Sequence, residues 1–406
     1  MIETLKKIPG LRQIIGAFRI LFSWTVYTLS LFVPRNNGTW VFMGWHYEGE
    51  KEIFADNAKY LFLHVSHNKE KYNISRAIWL TKDKVLQSKL KSLGHEAYLR
   101  KSILGIFYAL TAGYTIVDAY IHFENWKYSG WTKIIQLWHG IPIKKIGFQK
   151  KGYPISPEWK ARLMFPAQFM KIHKLFCTSQ NQATTYTEAF NYKKESIEIA
   201  EYPRNISMTK TDLLEEEINI GVDTELLNIL KEKRNSKNLI YTPTFRRGEK
   251  LVLEKVFDLN KMSEWLQKKN YLLTIGLHPK NFKEVEGKEF KNIYFLKNSD
   301  LYPLLKYIDM LITDYSSISL DFLFTNKPMV FYPYDLENYQ KTEGFTVNYT
   351  NTTPGKKVFN FNDLLLAIEA TFENDIWKEA RDRVKKEYHP YSNEDALERT
   401  TKLIIS

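Results

Sequence analysis

The sequence has very little cysteine: Cys177 is the one thiol among 406 residues. A disulfide within the chain is therefore impossible, and a cysteine-based zinc site is excluded. Cys177 lies in the apolar run at residues 174–179, and we interpret it as a small core residue. A chain without disulfides suits a reducing, cytoplasmic location.

Several motifs of nucleotide-binding and metal-dependent enzymes are also missing from the sequence. It has no glycine-rich loop ending in Lys-Ser or Lys-Thr, which disfavours a P-loop nucleotidase. No G-x-G-x-x-G follows the first predicted strand, which weakens a dehydrogenase interpretation. Neither a His-x-x-x-His nor a paired-carboxylate motif occurs, so we expect no metal and no cofactor. A transferase that works through positively charged groups is the natural interpretation.

The composition that is present indicates a folded, basic protein. Hydrophobic residues make up 44% and aromatic residues 15% of the chain, which excludes a disordered chain. A length of 406 residues predicts two domains. The net charge of +12 suits an anionic membrane surface or phosphate-rich substrates. We discount nucleic acid, because the aromatic residues lie in predicted strands rather than alternating with lysines on one surface.

Residues 1–36 differ from the rest of the chain. The apolar stretch at 14–33 is long enough to span a bilayer, at roughly 20 residues, but Arg19 lies inside it and charge is unfavourable at the bilayer centre. We therefore predict a helix that lies on the cytoplasmic leaflet. A helix packed on the first domain and a true span are the alternatives. No small-residue cleavage site follows, so we expect no removed signal peptide.

From Thr39 onward, apolar strands alternate with helical stretches. This pattern predicts an α/β fold of two Rossmann-like, doubly wound domains facing across a cleft. We assign residues 37–205 to an acceptor-side domain, 206–375 to a donor-binding domain, and 376–406 to C-terminal helices packing back on the first domain. Residues 363–405 are predicted to form two helices that are interrupted at His389-Pro390. The candidate strands are 39–43, 76–80, 114–118, 134–138, 174–178, 197–200, 239–241, 271–276, 293–296, 310–313 and 328–332.

One stretch, residues 133–151, organises the first half of a predicted site. Its buried strand runs into His139 and Gly140, and a basic segment containing Lys144 follows. A histidine at the carboxyl end of a parallel strand stands where open α/β sheets bind their ligands. Gly140 allows a tight turn or a close backbone approach, and the lysines attract phosphate.

Polar side chains at three strand ends of the second half are candidates for the other wall. Thr244 and Arg246 follow one strand, and an arginine fork matches phosphate oxygens, although ordinary surface arginines would look the same. His278 ends a second strand, where a structural histidine is the alternative. Two histidines in equivalent places on the two halves favour function.

The third strand end is the most informative. After residues 310–313, Ser316 and Ser317 open a predicted helix, whose start offers backbone N–H groups to an anion. Asp321 lies four residues after Ser317 and so on the same helical face. Simple capping of the helix by Asp314 or Ser316 is the alternative and is compatible with anion binding.

The chain resembles the CDP-glycerol glycerophosphotransferase family over roughly residues 37–400. The resemblance implies a GT-B fold and transfer of glycerol phosphate from CDP-glycerol to a membrane lipid-linked acceptor, with release of CMP. It also implies an enzyme of teichoic-acid or capsule synthesis. With the N-terminal stretch, this predicts a peripheral protein on the cytoplasmic face of the membrane, and a homo-oligomer is left open. The motifs that carry it are LWHGIPIKKIG, EYPRN, YTPTFR, GLHPK and TDYSSISLDFLFTNKPMVFYPYDLENY.

By position, the resemblance implies that His139 is the catalytic base and that His278 contacts the donor pyrophosphate. Arg204, Arg246 and Thr244 would hold phosphate oxygens. Ser316, Ser317 and Asp321 would hold the donor, with Asp321 accepting hydrogen bonds from glycerol or ribose hydroxyls.

The chain departs from the family motifs at three places: Glu201, Glu343 and the segment 393–395. The polyol therefore stays open between glycerol, ribitol and another group. Two further functions remain alternatives. One is a GT-B sugar transferase that uses a nucleotide sugar on a lipid-linked glycan. The other is a membrane-bound scaffold with a degenerate site.

Overall fold

The computed structural model describes residues 11–44, 52–121, 125–150, 152, 158–209, 211–232, 236–246, 253–277, 285–296 and 299–406. In this part of the chain the strands are β1 (Asn36–Met43), β2 (Arg76–Thr81), β3 (Glu96–Leu99), β4 (Ala112–Val117), β5 (Lys133–Gln136), β6 (Lys174–Cys177), β7 (Ile197–Ile199), β8 (Lys237–Thr242), β9 (Tyr271–Ile275), β10 (Ile293–Phe295), β11 (Met310–Thr313), β12 (Met329–Phe331) and β13 (Lys356–Lys357).

The α-helices of the described residues alternate with these strands. They are α1 (Leu11–Ser30), α2 (Asp56–His67), α3 (Lys84–Ser92), α4 (Ile103–Thr111), α5 (Glu158–Met164), α6 (Gln180–Phe190), α7 (Glu215–Ile218), α8 (Thr224–Glu232), α9 (Leu253–Val256), α10 (Leu259–Lys269), α11 (Tyr302–Leu305), α12 (Ile318–Asp321), α13 (Leu336–Thr342), α14 (Tyr349–Thr352), α15 (Phe361–Glu373), α16 (Lys378–Tyr388) and α17 (Ala396–Ile405).

The first sheet has seven parallel strands in the order β3-β2-β1-β4-β5-β6-β7. Both of its faces are covered, because alternate residues of β1 enter different apolar cores. Trp40 and Phe42 pack into one core, and Val41 and Met43 pack into the other. A sheet buried on both faces explains why its strands are continuous apolar runs in the sequence.

The second sheet has six parallel strands in the order β10-β9-β8-β11-β12-β13. Its first strand, β8, again lies in the middle, and the chain then proceeds outward on one side before returning to the other. Each sheet therefore has a topological switch point, between β1 and β4 and between β8 and β11. Open α/β sheets bind ligands outside the carboxyl ends of their strands at such points. The prediction of two doubly wound α/β domains is confirmed.

Three details differ from the sequence prediction. Edge strands β3 and β13 were not predicted. The C-terminal stretch forms three helices rather than two, with an additional break between α15 and α16. Of these helices, α17 packs on the first sheet, where Arg399 donates to the carbonyl of Ile199. Helix α16 contributes Val384 to the core of the second domain. The domain limits given above stay predictions.

Helix α1 packs on the first domain through one face only. Trp24 and Tyr27 contact Trp126, with ring centroids 5.0 and 5.7 Å apart. Trp24 Nε1 also donates to the carbonyl of Leu163 at 3.3 Å. Among the residues the structure describes, no helix is both long enough and apolar enough to cross a membrane.

Candidate active site

The turn after β5 presents His139 in an unusual backbone conformation. Trp138 has φ of 60° and Gly140 has φ of 142°, and a positive φ is rare for a residue as bulky as tryptophan. Two buried side chains hold the turn. Asn57 Nδ2 donates to the carbonyl of Trp138 at 2.8 Å, and the hydroxyl of Tyr186 donates to the carbonyl of Gly140 at 3.2 Å. Strain supported in this way is characteristic of functional sites.

The imidazole of His139 has a defined orientation and protonation state. Its Nδ1–H donates to the backbone carbonyl of Asp118 at 3.2 Å, which makes Nε2 the basic nitrogen. The ring stacks on Trp138 with centroids 4.4 Å apart. Burial lowers the pKa of His139 more than the nearby carboxylate of Asp56 raises it. The imidazole is therefore neutral near pH 7 and can accept a proton.

The facing wall comes from the switch point of the second sheet. Asp314, directly after β11, is fully buried. Its Oδ1 accepts hydrogen bonds from the backbone N–H and the hydroxyl of Thr244, at 2.9 and 2.6 Å. These bonds hold the loop after β8 against the loop after β11, and Ser316 and Ser317 follow in that second loop.

One cleft of about 440 Å³ lies between the two domains. Gly140 is the point of closest approach, because a Cβ built there would lie 2.7 Å from Ser317 Oγ and 3.3 Å from Arg204 Nη2. The structure thus brings six of the predicted site residues to one opening: His139, Gly140, Lys144, Thr244, Ser316 and Ser317.

The structure places Arg204 and Asp321 differently from the prediction. Arg204 Nη1 donates to Asp56 at 2.7 Å, and Nη2 donates to Asp321 at 2.6 Å. Both Arg204 and Asp321 are almost completely buried, and Tyr302 and Asn205 are the other hydrogen-bond partners of Asp321. In this structure Arg204 and Asp321 form a buried ion pair that joins the two domains, and their predicted roles in phosphate and hydroxyl binding stay predictions.

Arg246 is likewise paired with carboxylates, and its predicted role in phosphate binding stays a prediction. Its Nε and Nη2 donate to the two oxygens of Asp335 at 2.8 and 2.9 Å, and Nη1 donates to Asp314 at 2.8 Å. Burial acts to lower the pKa of Arg246, but Asp335 and Asp314 raise it well above the ordinary value. Two carboxylates and the carbonyl of Thr244 thus pair with all three nitrogens of the guanidinium, which holds the Thr244 side of the cleft wall in place.

The second predicted histidine, His278, lies outside the described residues. The residues just before it, Gly276 and Leu277, line the cleft after β9. Its predicted role stays a prediction.

Sequence reasoning assigned no role to the residues that position the histidine turn. Asn57 bonds to Trp138 and also accepts the backbone N–H of Arg204 at 3.1 Å. Asp118 Oδ1 accepts the N–H of Ala58 at 2.6 Å and so fixes the start of α2. These partners are 60 to 147 residues apart in the chain, and no local pattern marks them.

The places where the chain departs from the family motifs lie beside domain contacts. Glu343 pairs with Lys150 at 3.0 Å, and the carbonyl of Gly344 accepts the N–H of Lys145. Glu201 pairs with His389 at 3.0 Å in the interior. Among the described residues that line the cleft, none is at these three positions.

Two parallel-sheet domains around a polar cleft define the GT-B-like class of α/β proteins. The wall teichoic acid polymerase TagF has this fold, with a TM-score of 0.70 at 20% identity over 98% of both chains. Staphylococcus aureus MnaA in a UDP co-structure is a more distant example, with a TM-score of 0.53 at 14% identity over 90% of this chain and 95% of that one. At these identities the likeness shows the fold alone.

Residues 25–406 match the family described as CDP-glycerol:poly(glycerophosphate) glycerophosphotransferase, and the chain belongs to that family. It is therefore a transferase enzyme. The teichoic acid poly(glycerol phosphate) polymerase of Bacillus spizizenii is 28% identical over 361 residues, which cover 85% of this chain and 86% of that protein. The teichoic acid glycerol-phosphate primase of Bacillus subtilis is 29% identical over 272 residues, or 66% and 67% of the two chains.

Proposed function

We propose that this enzyme transfers glycerol phosphate, or a related polyol phosphate, from CDP-glycerol to a membrane lipid-linked saccharide in the synthesis of a teichoic-acid or capsule-type polymer. CMP is the second product. The observation that carries the proposal is the single cleft that joins His139 and Lys144 of one domain to Thr244, Ser316 and Ser317 of the other. Family membership and the CDPG soak recorded for a TagF structure support the choice of donor.

In the proposed reaction, His139 Nε2 takes the proton of an acceptor hydroxyl as that oxygen attacks the β-phosphorus of CDP-glycerol. The new bond joins the acceptor oxygen to the β-phosphorus, and the bond from the β-phosphorus to the bridging oxygen breaks. CMP leaves with that oxygen. Neutral His139 is the form that this step requires, and burial favours it. A general base typically contributes about 100- to 10,000-fold to the rate.

Lys144 and the two serines are proposed to bind the diphosphate in the ground and transition states. A lysine ammonium supplies positive charge, and serine hydroxyls supply hydrogen-bond donors. Donors aimed at developing charge in a cleft with few waters are worth more than the same donors in bulk water. His278 is proposed to steady the charge on the leaving CMP.

A donor panel tests the substrate class. The enzyme is incubated with a lipid-linked disaccharide and with CDP-glycerol, CDP-ribitol or UDP-sugars in turn, and the released nucleotide is quantified. We expect CMP from a CDP-polyol and no UDP from the sugar donors. Release of UDP without CMP would establish a sugar transferase instead. Absence of both nucleotide release and nucleotide binding would indicate a scaffold with a degenerate site.

We further propose that α1 binds the cytoplasmic surface of an anionic membrane. Its side away from Trp24 exposes an apolar stripe at the i, i+3, i+4 spacing of one helical face, and Arg19 is exposed beside it. Aromatic and aliphatic side chains on one face with nearby basic residues are typical of interfacial helices. The stripe consists of Phe18, Leu21, Phe22 and Leu29, which are 56–71% exposed, and Phe32 beyond the helix is 80% exposed.

Vesicle sedimentation tests the membrane surface. Replacing three stripe residues by serine should move the enzyme from the pellet of anionic vesicles to the supernatant, without a change in its circular dichroism. High salt should also weaken binding, since salt screens exposed charges. The control replaces three comparably exposed apolar residues far along the chain from α1 and should still sediment. Equal sedimentation of the two triple variants would contradict the proposal. The test variant is Phe18→Ser/Leu21→Ser/Phe22→Ser, and the control is Phe359→Ser/Leu366→Ser/Ile376→Ser.

A further inference from the structure

Two histidines and a glutamate that do not line the cleft lie close together elsewhere in the fold. His67 ends α2, His95 precedes β3, and Glu217 lies in α7. His67 Nε2 lies 2.8 Å from Oε2 and 2.9 Å from Oε1 of Glu217, and His95 Nε2 lies 2.9 Å from Oε1. One ligand atom from each of the three side chains lies within 4.8 Å of the others. Imidazole nitrogen and carboxylate oxygen are ligands that zinc prefers.

The buried part of this cluster is fixed in an orientation that suits a ligand. The side chains of His95 and Glu217 are each 2% exposed. Ser66 Oγ lies 2.9 Å from His95 Nδ1, and this contact directs Nε2 of the ring towards Glu217. Such a partner on the second ring nitrogen is the usual support of a metal-binding histidine.

The charge balance of the cluster is the second observation. Glu217 carries a buried carboxylate, and its ion-pair partners within the described residues are the two imidazoles rather than a lysine or arginine. Buried charges in proteins are generally paired with an opposite charge or coordinated to a metal. A divalent cation held by these three side chains would place a fixed positive charge beside the carboxylate.

The cluster also has access for an incoming ion. The side chain of His67 is 42% exposed, and it lines a cavity of about 720 Å³ between α2 and the start of α17. Ligand atoms around tetrahedral zinc lie roughly 3.3 Å apart at ordinary bond lengths. The contacts of 2.8 and 2.9 Å between the histidine nitrogens and the carboxylate would therefore have to lengthen by about 0.4 to 0.5 Å. His67, half-exposed at the end of α2, can move by that amount, whereas at buried His95 the carboxylate of Glu217 has to move instead.

We propose that His67, His95 and Glu217 form a zinc-type divalent metal site, with its fourth position open to the cavity for water or an anionic oxygen. The site is structural. It connects the end of helix α2 and the start of strand β3 to helix α7. The hydrogen bond from Lys59 Nζ to the carbonyl of Ile218, the last residue of α7, makes a second connection between α2 and α7. The proposal does not depend on the transfer reaction proposed above.

Zinc binding to the full-length, tag-free enzyme tests the site. After treatment with a chelator, the protein is titrated with Zn²⁺ by calorimetry, and its Tm is followed with Zn²⁺ or Mg²⁺ present. We expect one equivalent of Zn²⁺ to bind and to raise the Tm, because a ligand specific to the folded state stabilises it. Mg²⁺ should have no such effect. Failure of Zn²⁺ to bind at millimolar concentration would reduce the cluster to a hydrogen-bonded triad and overturn the proposal.

Matched variants assign the binding to these residues. His67→Ala should fold normally, since the side chain is half-exposed, and should lose at least tenfold in zinc affinity. Ser66→Ala should lose about tenfold through its effect on His95. His173→Ala, at an exposed histidine outside the cluster, should bind Zn²⁺ like the original enzyme. Unchanged zinc affinity in His67→Ala would place the metal elsewhere and overturn the assignment.

Discussion

Replacement of Arg204 by methionine is the perturbation whose effect can be worked out best from the structure. The guanidinium donates to Asp56 of the first domain and to Asp321 of the second, at 2.7 and 2.6 Å. The side chain of Arg204 is 2% exposed and that of Asp321 is 0% exposed. Methionine fills a similar volume but leaves the carboxylate of Asp321 buried with Tyr302 and Asn205 as its remaining partners.

Removing one partner of a buried ion pair typically costs about 3–5 kcal/mol, because the other charge stays buried without compensation. For cooperative unfolding of 406 residues, that cost corresponds to a fall in Tm of about 4–6 °C. A double variant, Arg204→Met/Asp321→Asn, removes both charges. It should recover at least half of the loss, since contacting residues are energetically coupled.

Differential scanning calorimetry at one protein concentration measures these differences. Arg162→Met is the control, because Arg162 and Glu158 form a salt bridge whose side chains are 53% and 52% exposed. An exposed pair contributes little, so the control should change the Tm by less than about 1 °C. Two results would refute the reasoning: an Arg204→Met variant as stable as the control, or a double variant no more stable than the single one.

Three further predictions concern the cleft and the domain contact. Gly140→Ala should reduce turnover and destabilise the fold by about 1–3 kcal/mol. The added Cβ would lie 2.7 Å from Ser317 Oγ, and the backbone φ of 142° is unfavourable for alanine. Normal kinetics and an unchanged Tm would contradict this close approach. The acid limb of kcat/KM should have its midpoint below pH 6.5, since burial lowers the pKa of His139 from that value. A midpoint above 7 would exclude a neutral base of this kind. Burial lowers the pKa of His389, but Glu201 outweighs it and the net pKa is raised above 6.5. The stability that His389 contributes is therefore complete below pH 6.5 and declines as the pH rises through the raised pKa. The Tm difference between the original enzyme and His389→Gln should shrink with rising pH, and a constant difference would count against the pair.

Most of the fold follows from the sequence because buried parallel strands are continuous apolar runs. The two unpredicted strands lie at sheet edges. Strand β3, Glu96–Leu99, is half-buried for most of its length, and β13 consists of Lys356 and Lys357. Edge strands are commonly short and charged, so they lack the apolar signal. The break before α16 contains neither proline nor glycine. It is instead stabilised by the contact of Asp375 with Arg381, which helical periodicity does not reveal.

The candidate site was likewise predictable from the sequence only in part. His139, Thr244, Ser316 and Ser317 follow strand ends, and parallel strands bring their carboxyl ends to one edge of each sheet. Local pattern was therefore enough to predict that they would meet. The roles of the arginines depend on carboxylates distant in the chain: Arg204 binds Asp321 across 117 residues. A sequence shows the charge of an arginine but not which anion neutralises it.

The most direct test of the account compares catalysis with donor binding in His139→Ala. If His139 is the base, CMP release should fall about 100- to 10,000-fold, while calorimetric affinity for CDP-glycerol stays close to that of the original enzyme. The exposed His173→Ala variant should retain full turnover. Turnover by His139→Ala equal to that of the original enzyme would contradict the central claim that this imidazole activates the acceptor.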